Sequence, residues 1–69
     1  MFENTNTFAE QLKKQYGTAL LNKVQTAQEL SISRATLDTW RKKGLIKSQM
    51  IGQQVRFSVV EVARIVMGA

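Results

Sequence analysis

The sequence predicts one mainly α-helical domain with a single small β-hairpin, and three observations carry that expectation. Helix-capping side chains recur at capping-box spacing, at Thr7/Glu10, Asn22/Gln25 and Ser58/Glu61, each placing an acceptor oxygen near early backbone N–H groups. Apolar residues follow each cap at helical intervals. Between residues 45 and 58, by contrast, β-branched and aromatic residues crowd two short runs around Gly52 and Gln53, the pattern of strand, turn and strand. A chain of 69 residues leaves room for one core only.

Taken in order, the first helix is expected over Phe8 to Tyr16. Phe8, Leu12 and Tyr16 share one face, and Gly17 is free to take the left-handed closing conformation. The second helix has two rival starts. Thr26/Glu29 would leave barely a turn before the bend at Ser31 to Ser33, whereas a start after Asn22 gives about two turns and aligns Val24, Ala27 and Leu30; Asn22 is therefore preferred. Ser33 caps a third helix over Arg34 to Lys43 that stops at Gly44, although Thr36 cannot return the bond as a glutamate would. At about 100° per residue, Leu37 and Trp40 share one face of that helix. Ala35, Asp38, Thr39 and Lys42 lie opposite, with Arg34 and Arg41 flanking the apolar side. Strands are expected over Leu45 to Ile51 and Gln54 to Ser58, the second with Val55 and Phe57 on one face and Arg56 on the other. A last helix covers Val59 to Met67. The organisation expected is a helical extension over 1–19, two helices over 20–44, a hairpin over 45–58 and a closing helix over 59–67.

Charge narrows the function. The formal net charge is +5, and it resides in one segment: from Ser31 to Ser58, Arg34, Arg41, Lys42, Lys43, Lys47 and Arg56 face only Asp38, while the flanks balance. A basic patch of this kind is the footprint expected for a polyanion, most often nucleic acid. With no cysteine and no histidine, disulfides, thiolate metal sites, imidazole ligands and histidine-activated nucleophiles are excluded. One aspartate among scattered glutamates makes no carboxylate pair at readable spacing. No enzymatic activity, cofactor, metal or small-molecule ligand is expected. No stretch approaches the roughly 20 apolar residues of a membrane span, and no leader-like segment opens the chain; the protein is expected to be soluble and cytoplasmic.

Two short helices joined by a turn of about three residues, the second basic on its outer face, describe a helix-turn-helix. A hairpin and one more helix make it winged. On that reading Leu37 and Trp40 fasten the third helix to the core while the opposite face enters a major groove. Arg34, Arg41, Lys42 and Lys43 meet phosphates, and the hairpin sets Lys47, Gln53, Gln54 and Arg56 beside the neighbouring backbone or minor groove.

The stretches "LLNKVQTAQELSISRATLDTW", "KGLI" and "IGQQVRFS" resemble the small winged helix-turn-helix domains of phage excisionases, AlpA-type regulators and the DNA-binding part of MerR regulators. The resemblance covers residues 20–66 and rests on the "vSrrTv..W" turn and helix and the "iGgrwRf" wing of those families. It implies that Arg34, Ala35, Asp38 and Thr39 stand at base-reading or phosphate positions and that Arg56 is the wing arginine. Two features depart from the pattern: Ser31 stands where those families usually have glycine, and the tip "GQQ" lacks the arginine that many wings insert into the minor groove. The long dimerising helix and effector domain of MerR regulators would follow the wing, where this sequence ends, so effector sensing is not expected. The candidate DNA-binding set is Ser33, Arg34, Ala35, Thr36, Asp38, Thr39, Arg41, Lys42, Lys43, Lys47, Gln53, Gln54 and Arg56.

Several of these residues have plainer roles beside the functional ones. Trp40 reads as core rather than a base-stacking platform because it shares a face with Leu37. Phe8 and Tyr16 read as core or partner-facing, and Lys13 and Lys14 as a solvated helix face. Asp38 either solubilises its helix or accepts from cytosine N4, and Gln53 and Gln54 are either turn residues or contacts. The last helix, with only Glu61 and Arg64 polar among its side chains, carries more apolar surface than one face holds. Either the N-terminal helix covers the excess, the reading we favour, or it serves self-association or a recombinase or replication partner. The function expected is therefore a sequence-specific double-stranded DNA-binding protein, a transcriptional regulator or an excision accessory factor of a mobile element. The rival is an adaptor that binds a protein partner through its last helix.

Overall fold

A computed structural model describes residues 4–68. The elements are α1 (Thr5–Tyr16), β1 (Leu20–Leu21), α2 (Lys23–Leu30), α3 (Arg34–Lys42), β2 (Gln49–Ile51), β3 (Gln54–Ser58) and α4 (Val59–Val66). The strands form an antiparallel sheet in the order β1-β3-β2. Four helices around this small sheet make a winged helix-turn-helix, the class expected. Among the described residues no helix is long and apolar enough to cross a membrane.

The caps decide where elements begin. α1 starts at Thr5 rather than Phe8, because Asn4 Oδ1 accepts from the Thr7 backbone N–H at 2.9 Å and from its hydroxyl at 3.2 Å. Asparagine is among the best capping residues. Thr7 therefore lies inside the helix, and the Thr7/Glu10 box does not form. α1 ends as expected at Gly17, whose φ of 71° is left-handed. The Asn22/Gln25 box is reciprocal: Asn22 Oδ1 accepts from Gln25 N at 2.8 Å and Gln25 Oε1 from Asn22 N at 3.1 Å. Thr26, the rival start, is a fully buried residue inside α2.

α2 and α3 both close with the Schellman pair of backbone bonds. Ile32 N donates to Ala27 O at 3.0 Å and Ser31 N to Gln28 O at 3.2 Å, while Leu45 N donates to Trp40 O at 2.9 Å and Gly44 N to Arg41 O at 3.1 Å. Ser31 takes φ 58°, so it occupies the left-handed conformation that favours glycine. That conformation is unfavourable for a residue bearing a Cβ. Ser31→Gly is expected to stabilise the domain by about 0.5–1 kcal/mol, read as a higher urea midpoint with an unchanged slope.

The second Schellman closure overturns one strand boundary. Gly44 and Leu45 are consumed in ending α3, which stops at Lys42 with Lys43 as its cap. Ile46 then turns into the core. β2 consequently begins at Gln49 rather than Leu45, and it pairs Gln49 with Arg56, Met50 with Val55 and Ile51 with Gln54. β1, which the sequence reading did not expect, pairs Leu20 with Ser58 and Leu21 with Phe57. A two-residue strand carries no periodicity of its own, and it exists because β3 offers it an edge.

The core joins every layer: Ala9 and Leu12 of α1, Leu21, Ala27, Leu37, Ile46, Phe57, and Val59, Val62 and Ala63 of α4. α1 packs on α4, as favoured from sequence, and it is tied to α2 by the Tyr16 hydroxyl, which donates to Glu29 Oε1 at 2.8 Å. Burial, then the neighbouring Glu29, pushes the Tyr16 hydroxyl up to about 12. Cover of α4 is incomplete, since Val60, Val66 and Met67 stay exposed. Trp40 is half-buried and packs on the edge of the core.

Candidate nucleic-acid interface

α3 is held from behind and open in front. Leu37 is fully buried, Trp40 packs beside it, and the helix rests on α2. Ser33 caps the helix: its Oγ accepts from Thr36 N at 3.1 Å and donates to Thr36 Oγ1 at 3.0 Å. Both hydroxyls therefore organise the first turn. Ser33, Arg34, Ala35, Thr39, Lys42 and Lys43 are exposed. Thr39 Oγ1 donates to Ala35 O at 3.1 Å, which spends its proton inside the helix and leaves its lone pairs as acceptors toward solvent.

The wing is a tight hairpin. Gly52 has φ 63° and Gln53 does not share the positive sign, the pattern of a type II′ turn, with glycine first. Lys47 is exposed at its base, where the backbone N–H donates to Glu61 Oε2 at 2.9 Å. The Ser58/Glu61 box is half formed. Ser58 Oγ accepts from Glu61 N at 3.0 Å, but the Glu61 carboxylate turns to Lys47 and to Arg64, whose Nε and Nη2 lie at 3.0 and 2.7 Å. The Arg64 bonds, more than the Lys47 N–H, hold the Glu61 carboxyl below its ordinary value. The carboxylate thus pins the wing base to α4. Gln53 and Gln54 are exposed near the tip, whereas Arg56 folds back along its strand, donating to Val55 O at 3.1 Å and to Gln54 Oε1.

A family profile described as a helix-turn-helix domain matches residues 20–67, from β1 to the end of α4. The chain belongs to the helix-turn-helix domain family. Comparison with curated proteins yields no match, and comparison with solved structures yields none. In this helix-turn-helix protein the matched span holds the turn, both flanking helices and the wing, while α1 lies outside it and closes the core against α4. It is a small DNA-binding protein of the helix-turn-helix type.

Within the helix-turn-helix, the structure gathers the α3 residues on one surface and links them to the wing through a residue the sequence reading passed over. Lys23 is the first residue of α2, and its Nζ lies 3.0 Å from Asp38 Oδ1. Asn22, Lys23 and Val24 line an open groove against Gln54, Val55 and Arg56. By sequence Lys23 falls in a charge-balanced flank, and its place at the start of a capped helix is the signal that singles it out. Asp38 also meets Arg41 Nη2 at 3.5 Å, so its carboxyl is held below the ordinary range, chiefly by Lys23. Neither Asp38 nor Arg41 stands free on the surface. Arg41 is half-buried, and its Nε is buried without a hydrogen-bond partner.

Proposed function

We propose that this helix-turn-helix protein binds double-stranded DNA sequence-specifically and without catalysis, as a small transcriptional regulator or as an excision accessory factor of a mobile element. α3 enters the major groove and the wing lies against the adjacent backbone. The observation that carries the reading is the division of α3: Leu37 and Trp40 are turned to the core, while Arg34, Ala35, Thr39, Lys42 and Lys43 are exposed on a helix with a capped, rigid start. Ala35 and Thr39 lie one turn apart on the face suited to base edges, and the lysines beyond them suit phosphates.

A selection on randomised duplexes, run for the wild type and for variants, tests the assignment. Thr39→Ala is expected to change the preferred sequence by about 1–3 kcal/mol at one or two base pairs. Lys42→Ala is expected to weaken all sequences alike and to make the salt dependence shallower by about one unit. A Thr39→Ala profile identical to wild type, with Gln54→Ala altering preference instead, would transfer reading from α3 to the wing.

The second reading, an adaptor for a recombinase or replication protein, draws on Val60 and Val66 of α4 and Met67 at its C-cap, which stay exposed. It predicts that polar substitutions there spare DNA binding and abolish partner binding, and it is compatible with cytoplasmic DNA transactions.

A further inference from the structure

We propose that Asp38 is a specificity-determining residue: in the unbound domain its carboxylate occupies Lys23 and Arg41 as a phosphate would, and it thereby suppresses binding to DNA of arbitrary sequence. The inference rests on the DNA-binding reading above.

Two elements converge on one oxygen. Asp38 Oδ1 lies 3.0 Å from Lys23 Nζ of α2 and 3.5 Å from Arg41 Nη2 of α3. A phosphate oxygen offers the same cations the same kind of charge-assisted bond. The carboxylate satisfies Arg41 poorly, since the contact is long and Nε is buried without a partner. With Nε buried, the guanidinium offers an anion its Nη groups, and the 3.5 Å contact leaves these capacity for a closer acceptor than Asp38 supplies. All three side chains remain partly open to solvent, and a duplex lying along α3 reaches them.

Docking then sets a competition. Lys23 and Arg41 exchange the carboxylate for phosphates, and Asp38 is left on the outer face of α3, one residue before Thr39, facing a polyanion. Like-charge juxtaposition opposes association with every sequence. A base edge that donates a hydrogen bond, such as the N4 amine of cytosine in the major groove, gives the carboxylate a new partner and removes that opposition. Asp38 thus penalises the wrong site more than it favours the right one, which is how specificity arises from repulsion.

The test uses the full chain and two labelled duplexes, one selected by the wild type and one scrambled, titrated across a range of salt. Asp38→Asn is expected to tighten the scrambled duplex about tenfold and to steepen its salt slope by about one unit, while the selected duplex gains less, so that the ratio of affinities falls. Asp38→Glu keeps the charge and is expected to behave as wild type. Lys23→Gln is expected to cost more affinity in the Asp38→Asn background than in the wild type, because only there is the lysine free of its internal partner. Unchanged scrambled-duplex affinity and slope in Asp38→Asn would overturn the proposal and leave the DNA-binding reading standing. So would equal weakening on both duplexes with a lowered melting temperature, which marks a purely structural ion pair. A wild type that binds neither duplex overturns the DNA-binding reading and the proposal with it.

Discussion

Phe57→Ala is expected to remove most of the stability of this domain. Phe57 is fully buried and, among the described residues, is the largest of the fully buried side chains by volume. It stands in β3, the central strand, in register with Leu21 of β1. Truncating a buried phenylalanine costs about 3–5 kcal/mol through lost transfer energy and the cavity left behind. At roughly 0.05–0.15 kcal/mol per residue, a 69-residue domain has about 3–10 kcal/mol in total. Thermal melting followed by circular dichroism is expected to show the midpoint lowered by at least about 12 °C, or no cooperative transition at all. Trp40→Ala is expected to cost less, because the indole is only half-buried at the edge of the core. A shift of a few degrees for Phe57→Ala, smaller than that for Trp40→Ala, would mean that the sheet does not organise the core.

The second large effect concerns salt. Arg34, Lys42, Lys43 and Lys47 are exposed, whereas Lys23, Arg41 and Arg56 already have partners within the domain. Each phosphate neutralised contributes about −0.9 to the log–log slope of affinity against salt, so three to five contacts give a slope of roughly −3 to −5. A fourfold rise in salt is then expected to weaken binding to a short duplex by roughly 60- to 1000-fold, measured by fluorescence anisotropy. Replacing Lys42 and Lys43 together by alanine is expected to remove about two units of slope. A wild-type affinity that does not respond to salt would refute the nucleic-acid reading, because no arrangement of these cations on a phosphate backbone is salt-independent.

Much of the fold was legible because local chemistry and global packing agree. The Asn22/Gln25 box, the Ser33 cap and the glycines at 17 and 44 act over a few residues, and each works in the folded chain as its spacing implied. The separation of Leu37 from Ala35 and Thr39 is likewise a property of helical geometry alone. Two readings gave way where local signals competed. Asn4 displaced Thr7 as a cap, and the closure of α3 took residues that the strand pattern had claimed for β2.

The sequence by itself determined the helix-turn-helix class, the segment that carries the positive charge and the face of α3 that is turned away from the core, because capping, periodicity and charge act within one element. Tertiary structure alone decided the rest. β1 exists only beside β3, α1 covers only part of α4, and the Glu61 carboxylate left its own helix cap to accept from the Lys47 N–H at the base of the wing. Asp38 is the sharpest case. A helical projection sets it on the outer face, but its partner Lys23 comes from the preceding helix, and no spacing along the chain records which cation will stand 3.0 Å from a given carboxylate. Such pairings depend on how elements are packed against one another, and packing is fixed by the whole core rather than by any one segment of it.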